Sequence, residues 1–90
     1  MHVKTTHAKD LLRSLLNKHK IGGCHTEERN VLKRIDHLPR DEQRLILDDW
    51  RECVNEGIVL CKKSTGEVHV SLNPKKLKEI WCLIEEQEKE

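Results

Sequence analysis

The residues of this chain best equipped for chemistry are four cysteines and six histidines within 90 residues. Cys24 and His25 are adjacent, and a hairpin that turns the chain back between residues 61 and 69 would set Cys61 across from His69. Thiolate and imidazole are ligands that transition metals select, so a four-ligand site can be drawn from these two pairs. Composition alone brings the pairs together, however. No cysteine belongs to a CxxC pair, and no histidine follows another at the four-residue interval of a helical zinc motif. Reduced, mostly buried cysteines and solvent-facing histidines are expected, with no metal and no cofactor. Enzymatic activity is not expected either, because the sequence has no GxSxG elbow, no phosphate loop and no carboxylate pair in an apolar context.

The other chemistry on offer is hydrogen bonding to anions and bases. Arg44 and Arg51 stand seven apart, one line of a helix, and Asn55 extends that line. Arginine and asparagine are good readers of base edges. Residues 41–57 also hold six acids (Asp41, Glu42, Asp48, Asp49, Glu52 and Glu56) against these two arginines, and a net charge of −4 opposes a phosphate backbone. Positive charge lies on either side: Lys4, Lys9, Arg13, Lys18 and Lys20 against Asp10 over residues 1–26, then Arg29, Lys33, Arg34 and Arg40, then Lys62 and Lys63.

The elements that must position these groups follow from periodicity. Ala8, Leu11, Leu12, Leu15 and Leu16 mark one face of a helix over about Thr6 to Lys18, with Lys9, Asp10, Arg13, Ser14 and Asn17 on its wet side, and Gly22-Gly23 interrupts it. Thr26 is a plausible N-cap, with Glu27 and Glu28 in the first turn of a second helix. Val31, Leu32, Ile35 and Leu38 form its stripe, and Pro39 ends it. A third helix runs from Pro39 or Arg40 to about Asn55, burying Ile46, Trp50, Cys53 and Val54, with Gly57 as its left-handed cap. Leu45 falls about 130° from that stripe and is expected on the surface.

The period then shortens to two. Residues 58–63 and 67–72 read as a hairpin around a three-residue loop, Ser64-Thr65-Gly66, pairing Lys63 with Glu67, Leu60 with Val70 and Ile58 with Leu72. The alternative two-residue loop, Thr65-Gly66, sets Lys63 against Val68 and is the less favoured register. Asn73-Pro74 opens a fourth helix with Leu77, Ile80, Trp81 and Ile84 on its apolar side, fraying into an acidic tail over residues 85–90. Trp50 and Trp81 both fall on apolar stripes and are expected in the core. With no Phe and no Tyr, the stacking platforms of single-strand binders are missing.

Length and charge bound the remaining choices. Ninety residues suit one domain, spanning 1–90, because two cores would each be too small. Hydrophobic residues are 36% and charged residues 37%, a polar globular composition, and no apolar run approaches the ~20 residues of a membrane span. No apolar segment precedes a cleavage site at the N-terminus, so a cytoplasmic location is expected. The net charge of +1 speaks against an indiscriminate polyanion binder.

The order helix, short glycine-containing link, helix, helix, β-hairpin, helix resembles the winged-helix variety of helix-turn-helix domain. The resemblance rests on Asn55-Glu56-Gly57-Ile58-Val59-Leu60, on the basic-tipped stretch Lys62 to Glu67, and on Val68-His69-Val70. It covers nearly the whole chain and is architectural; no subfamily is singled out. It implies a mostly α fold with a small antiparallel sheet, in which helices two and three form the helix-turn-helix and the hairpin is the wing. A third strand would come from Lys20-Ile21-Gly22. It further implies binding of double-stranded DNA by a small transcription regulator, with helix three in the major groove. On this sequence the phosphate contacts would be Arg29, Lys33, Arg40, Lys62 and Lys63, and the base readers Arg44, Arg51 and Asn55. Winged helices of this kind commonly act as homodimers. Others dock proteins inside larger assemblies, and the acidic third helix with Leu45 fits that alternative.

Overall fold

The computed structural model describes residues 6–85, so His2, Lys4 and the acidic tail beyond Glu85 lie outside the described residues. Four α-helices pack with a three-stranded antiparallel sheet: α1 (Thr6–Asn17), β1 (Thr26–Glu27), α2 (Glu28–Leu32), α3 (Arg40–Asn55), β2 (Val59–Ser64), β3 (Glu67–Leu72) and α4 (Leu77–Glu85). Short 3-10 turns at Lys33–Ile35 and Pro74–Lys76 follow α2 and precede α4. The strand order is β1-β3-β2, so the last strand to be made is the central one.

The core collects the apolar face of every helix. Ala8, Leu11, Leu12, Leu15 and Leu16 of α1, Ile46, Trp50 and Cys53 of α3, and Ile80, Leu83 and Ile84 of α4 are buried against Val59, Val70 and Leu72 of the sheet. Two residues expected on the wet side of α1 are also buried, Lys9 and Ser14. The reason is that α1 is covered on several sides, by α2, α3, α4 and β3, rather than along one stripe.

Helix α3 ends as its sequence dictates. Gly57 takes a φ of 77°, which an L side chain rarely adopts. Its N–H donates to Val54 O at 3.1 Å and the Ile58 N–H donates to Cys53 O at 2.9 Å, the paired bonds of a Schellman cap. That cap buries Ile58 and points the chain directly into β2. Asn73 then ties the far end of the hairpin to the same corner: its side chain donates to Gly57 O at 2.8 Å and accepts from Lys75 N–H at 3.0 Å, starting the turn into α4.

Several expectations are corrected. The hairpin uses the two-residue loop, with Ser64 opposite Glu67, Lys63 opposite Val68, Leu60 opposite Ser71 and Val59 opposite Leu72. The Schellman cap already buries Ile58, so Val59 is the residue turned inward, and a one-residue slip carries Leu60 to the outer face, 39% exposed. Gly66 supplies the left-handed residue of the turn (φ 74°) while Thr65 keeps a negative φ. In this register Cys61 opposes Val70 and Lys62 opposes His69, so Cys61 and His69 do not face each other.

The third strand is Thr26–Glu27, which pairs with Val70 and His69; Ile21 makes only an isolated parallel bridge to Leu72. Thr26 is therefore spent in the sheet, and Glu27 stands at the N-cap of α2 with no side-chain capping bond. The second helix is correspondingly short, closing in the 3-10 turn at Ile35.

Trp81 is 49% exposed, whereas Trp50 is 2% exposed. On α4 the buried stripe runs through Ile80, Leu83 and Ile84, and Trp81 lies at its edge. Of the four cysteines, all free thiols, only Cys53 is buried; Cys24, Cys61 and Cys82 are exposed. The cysteines sit on four different elements or links, three of them outside the core stripes.

Candidate nucleic-acid interface

The α2–α3 pair is built to hold a fixed angle. Gln43, in the first full turn of α3, donates through its amide nitrogen to Leu38 O at 2.7 Å and to Asp36 O at 3.2 Å, pinning the connecting turn to the helix. Trp50 reaches across from α3 to Glu28 at the start of α2. Arg34, on the 3-10 turn, bonds Asp10 of α1 at 3.3 Å. The four bonds anchor the start of α2, the 3-10 turn that follows it and the link into α3.

On the outside of this pair the positive side chains converge. Arg40, Arg44 and Arg51 of α3 line one surface depression with Gln43, Leu47 and Asp48. Arg29 and Lys33 line a second with Leu32, Ile35 and Asp36, and this one also includes Gln43 and Leu47. The two depressions adjoin at Gln43 and Leu47, the first running along the exposed side of α3 and the second lying between α2 and α3; together they make one groove edged by five cations and two carboxylates. Each of the five is exposed. Two are held by acids: Arg29 pairs with Glu27 at 3.2 Å and Arg51 with Asp48 at 3.8 Å. Both pairs are exposed, so each costs little to open.

The charge of α3 is segregated lengthwise. At about 100° per residue, Arg40, Arg51, Arg44 and Asn55 fall within roughly 60° of arc, on the side of the groove. Asp48, Asp41, Glu52, Glu56 and Glu42 occupy the following roughly 120°, with Leu45 in their midst and 60% exposed. Asp49 is buried. The net negative charge of residues 41–57 is therefore a property of one flank, and the flank beside α2 is cationic. The sequence total hid this division; a helical-wheel projection of the charged residues carries the signal.

The remaining expected residues lie apart from the groove. Asn55 is exposed near the C-terminal end of α3, and Lys62 and Lys63 are exposed on β2. Adjacent residues of a strand point to opposite faces, so Lys62 shares the outer face with Leu60, His69 and Ser71, while Lys63 shares the inner one with Val59 and Val70.

The cysteine and histidine pairs meet in part. His25 and His69 come into contact across β1 and β3, Nδ1 to Nδ1 at 2.9 Å with the rings nearly perpendicular, and His69 Nε2 lies 3.0 Å from Glu67 Oε1. Both rings line an outer-face depression with Leu60, Lys62 and Ser71, and Cys24 does not line it. Among the described residues no group of three or more His, Cys, Asp or Glu is placed to hold a metal ion. Burial pushes the Cys61 thiol up, the Glu28 carboxylate adds to that, and Lys63 opposes it. Burial, reinforced by Asp49, Glu52 and Glu56, pushes the Cys53 thiol up to about 12, so both remain protonated and poor nucleophiles at neutral pH.

Among the described residues no helix is long and apolar enough to cross a membrane. No protein family, no curated protein and no solved structure matches the chain.

Proposed function

We propose that this chain is a winged-helix domain that binds double-stranded DNA and serves as a small transcription regulator. The observation that carries the reading is the groove formed by the adjoining depressions along α3 and between α2 and α3, where Arg40, Arg44 and Arg51 on one flank of α3 stand beside Arg29 and Lys33 of the α2 segment. The fold is consistent with it: α2 and α3 form a braced helix pair, and the β2–β3 hairpin follows α3 at once through the Gly57 cap. In this reading α3 enters the major groove along its cationic flank, with Arg44, Arg51 and Asn55 toward base edges. Arg29, Lys33 and Arg40 take phosphates from the α2 side, and Lys62 and Lys63 take them from the wing. The acidic flank points away from the duplex.

A salt series of binding to random-sequence duplex tests the proposal. Affinity should fall steeply as salt rises, with a slope set by the number of phosphates neutralised. Alanine at Lys33 or Lys62 should flatten that slope by about one contact each, whereas Arg44→Ala and Arg51→Ala should weaken a selected site more than random duplex. No binding even at low salt would overturn the reading.

One observation favours a second reading, a winged helix that docks a basic protein partner. Leu45 is 60% exposed and is surrounded on α3 by acids. A partner with an apolar anchor rimmed by lysines would fit that flank, and Leu45→Glu would then abolish docking without touching the cationic groove.

A further inference from the structure

Helix α4 is amphipathic, and its outer side has no partner within the described residues. Ile80, Leu83 and Ile84 are buried in the core, while Lys78, Trp81, Cys82 and Glu85 are exposed. A tryptophan 49% exposed on a two-and-a-half-turn helix is a large apolar surface left in water. The charges around it have a definite symmetry. Lys78 and Glu85 lie seven residues apart, three and a half on either side of the Trp81–Cys82 peptide bond, on one line of the helix. Trp81 falls on one flank of that line and Cys82 on the other. Lys76 is committed to Glu79 at 3.7 Å, but neither Lys78 nor Glu85 forms an ion pair among the described residues.

We propose that the exposed face of α4 is the interface of a homodimer, in which it packs antiparallel against α4 of a second copy about a twofold axis beside the Trp81–Cys82 bond. An antiparallel pairing inverts the sequence about that point. Lys78 of each copy therefore meets Glu85 of the other, about 5 Å above and below the axis at 1.5 Å of rise per residue. The same operation keeps each flank on its own side, so the two Trp81 indoles meet each other and the two Cys82 side chains meet each other. A parallel pairing would set lysine against lysine, and the pattern disfavours it. The occupant is thus specified by the charge order: the surface complementary to K-x-x-W-C-x-x-E is the same surface reversed. This is the isologous self-complementarity that a twofold interface requires. Two and a half turns place the interface at the small end of protein contacts, below about 1,200 Å² in total, so association should be micromolar rather than tighter. The inference is independent of the DNA reading, since α4 contributes none of the groove residues.

Sedimentation equilibrium of the full chain without DNA, from low to several hundred micromolar, tests it. A reversible monomer–dimer equilibrium is expected, with Trp81→Ala weakening association by about tenfold or more. Lys78→Glu and Glu85→Lys should each weaken it, because each places like charges together at two symmetric points, and the double exchange should restore it. Circular dichroism of each variant separates loss of association from loss of fold. A chain that stays monomeric throughout overturns the proposal. So does a dimer indifferent to Trp81 and to the charge exchanges, which would assemble through another surface. Restored association in the double exchange is the result that a general loss of stability cannot produce.

Discussion

Trp50 donates its indole N–H to Oε2 of Glu28 at 2.8 Å, a single bond joining the middle of α3 to the first residue of α2. The indole is buried among Ile46, Cys53 and the rest of the core, where an unpaired N–H would be costly. The bond thus makes the angle between the two helices depend on a carboxylate.

Removing that carboxylate should be felt in two places. Glu28→Ala should lower stability in urea denaturation by about 1–3 kcal/mol, because it orphans a buried donor, and Glu28→Gln by less, because an acceptor remains. The same substitutions should lower the Cys61 thiol pKa, which Glu28 helps to raise, and speed its alkylation. Trp50→Ala should cost ~3–5 kcal/mol. A loss below about 1 kcal/mol would contradict its packing at the centre of α3.

The segregated charge of α3 predicts a gain as well as losses. Asp48 sits at the border of the two flanks and holds Arg51 at 3.8 Å. Asp48→Asn should release Arg51 and remove a carboxylate from the groove, tightening duplex binding several-fold at low salt. Glu52→Gln, farther onto the acidic flank, should change it less. Equal effects at the two positions, read by fluorescence anisotropy, would mean that only net charge matters and that α3 has no preferred side.

Cys53 predicts an alkaline limit to stability. Its thiol is pushed up to about 12 in the folded chain from an ordinary value of 9.0, so the unfolded chain loses this proton first as pH rises. The sign follows: the contribution is complete below pH ~9, and it declines from there until pH reaches the folded value near 12, with a slope of at most about 1.4 kcal/mol per pH unit. Cys53→Ala should remove that component from a stability–pH profile measured by denaturant titration. In the native protein, thiol reagents should modify the exposed Cys24 and Cys82, reach Cys61 more slowly and spare the buried Cys53.

The parts legible in the sequence are those where one local rule decides. The face of α1 through Leu15, the face of α3 through Ile46 and Trp50, the Gly57 cap and the Asn73-Pro74 start each follow from spacing or from a single backbone preference. The parts that were not legible depend on a neighbour. Whether Val59 or Leu60 turns inward is settled by the Schellman cap, which swallows Ile58 before the strand begins. Thr26 has the side chain of a cap, yet β3 claims its backbone. Trp81 sits at the boundary of its stripe, and only the packing of α4 on α1 decides on which side it falls. The groove was half legible: its cations were identifiable singly, but their separation from the acids of the same helix emerges only in projection.

The strand order gives β2 a further role. With β3 in the middle and β1 only two residues long, β2 is, among the described residues, the one long strand whose outer edge carries no neighbour within the sheet. Such an edge offers unpaired N–H and C=O groups to any extended chain, and lysines are a common means of keeping one from pairing. Lys62 and Lys63 stand in the second half of that edge, where their like charges and desolvation penalty make a second copy of β2 a poor partner. Replacing both with β-branched apolar residues would leave the monomer's fold intact and turn the hairpin into a template for strand-by-strand aggregation.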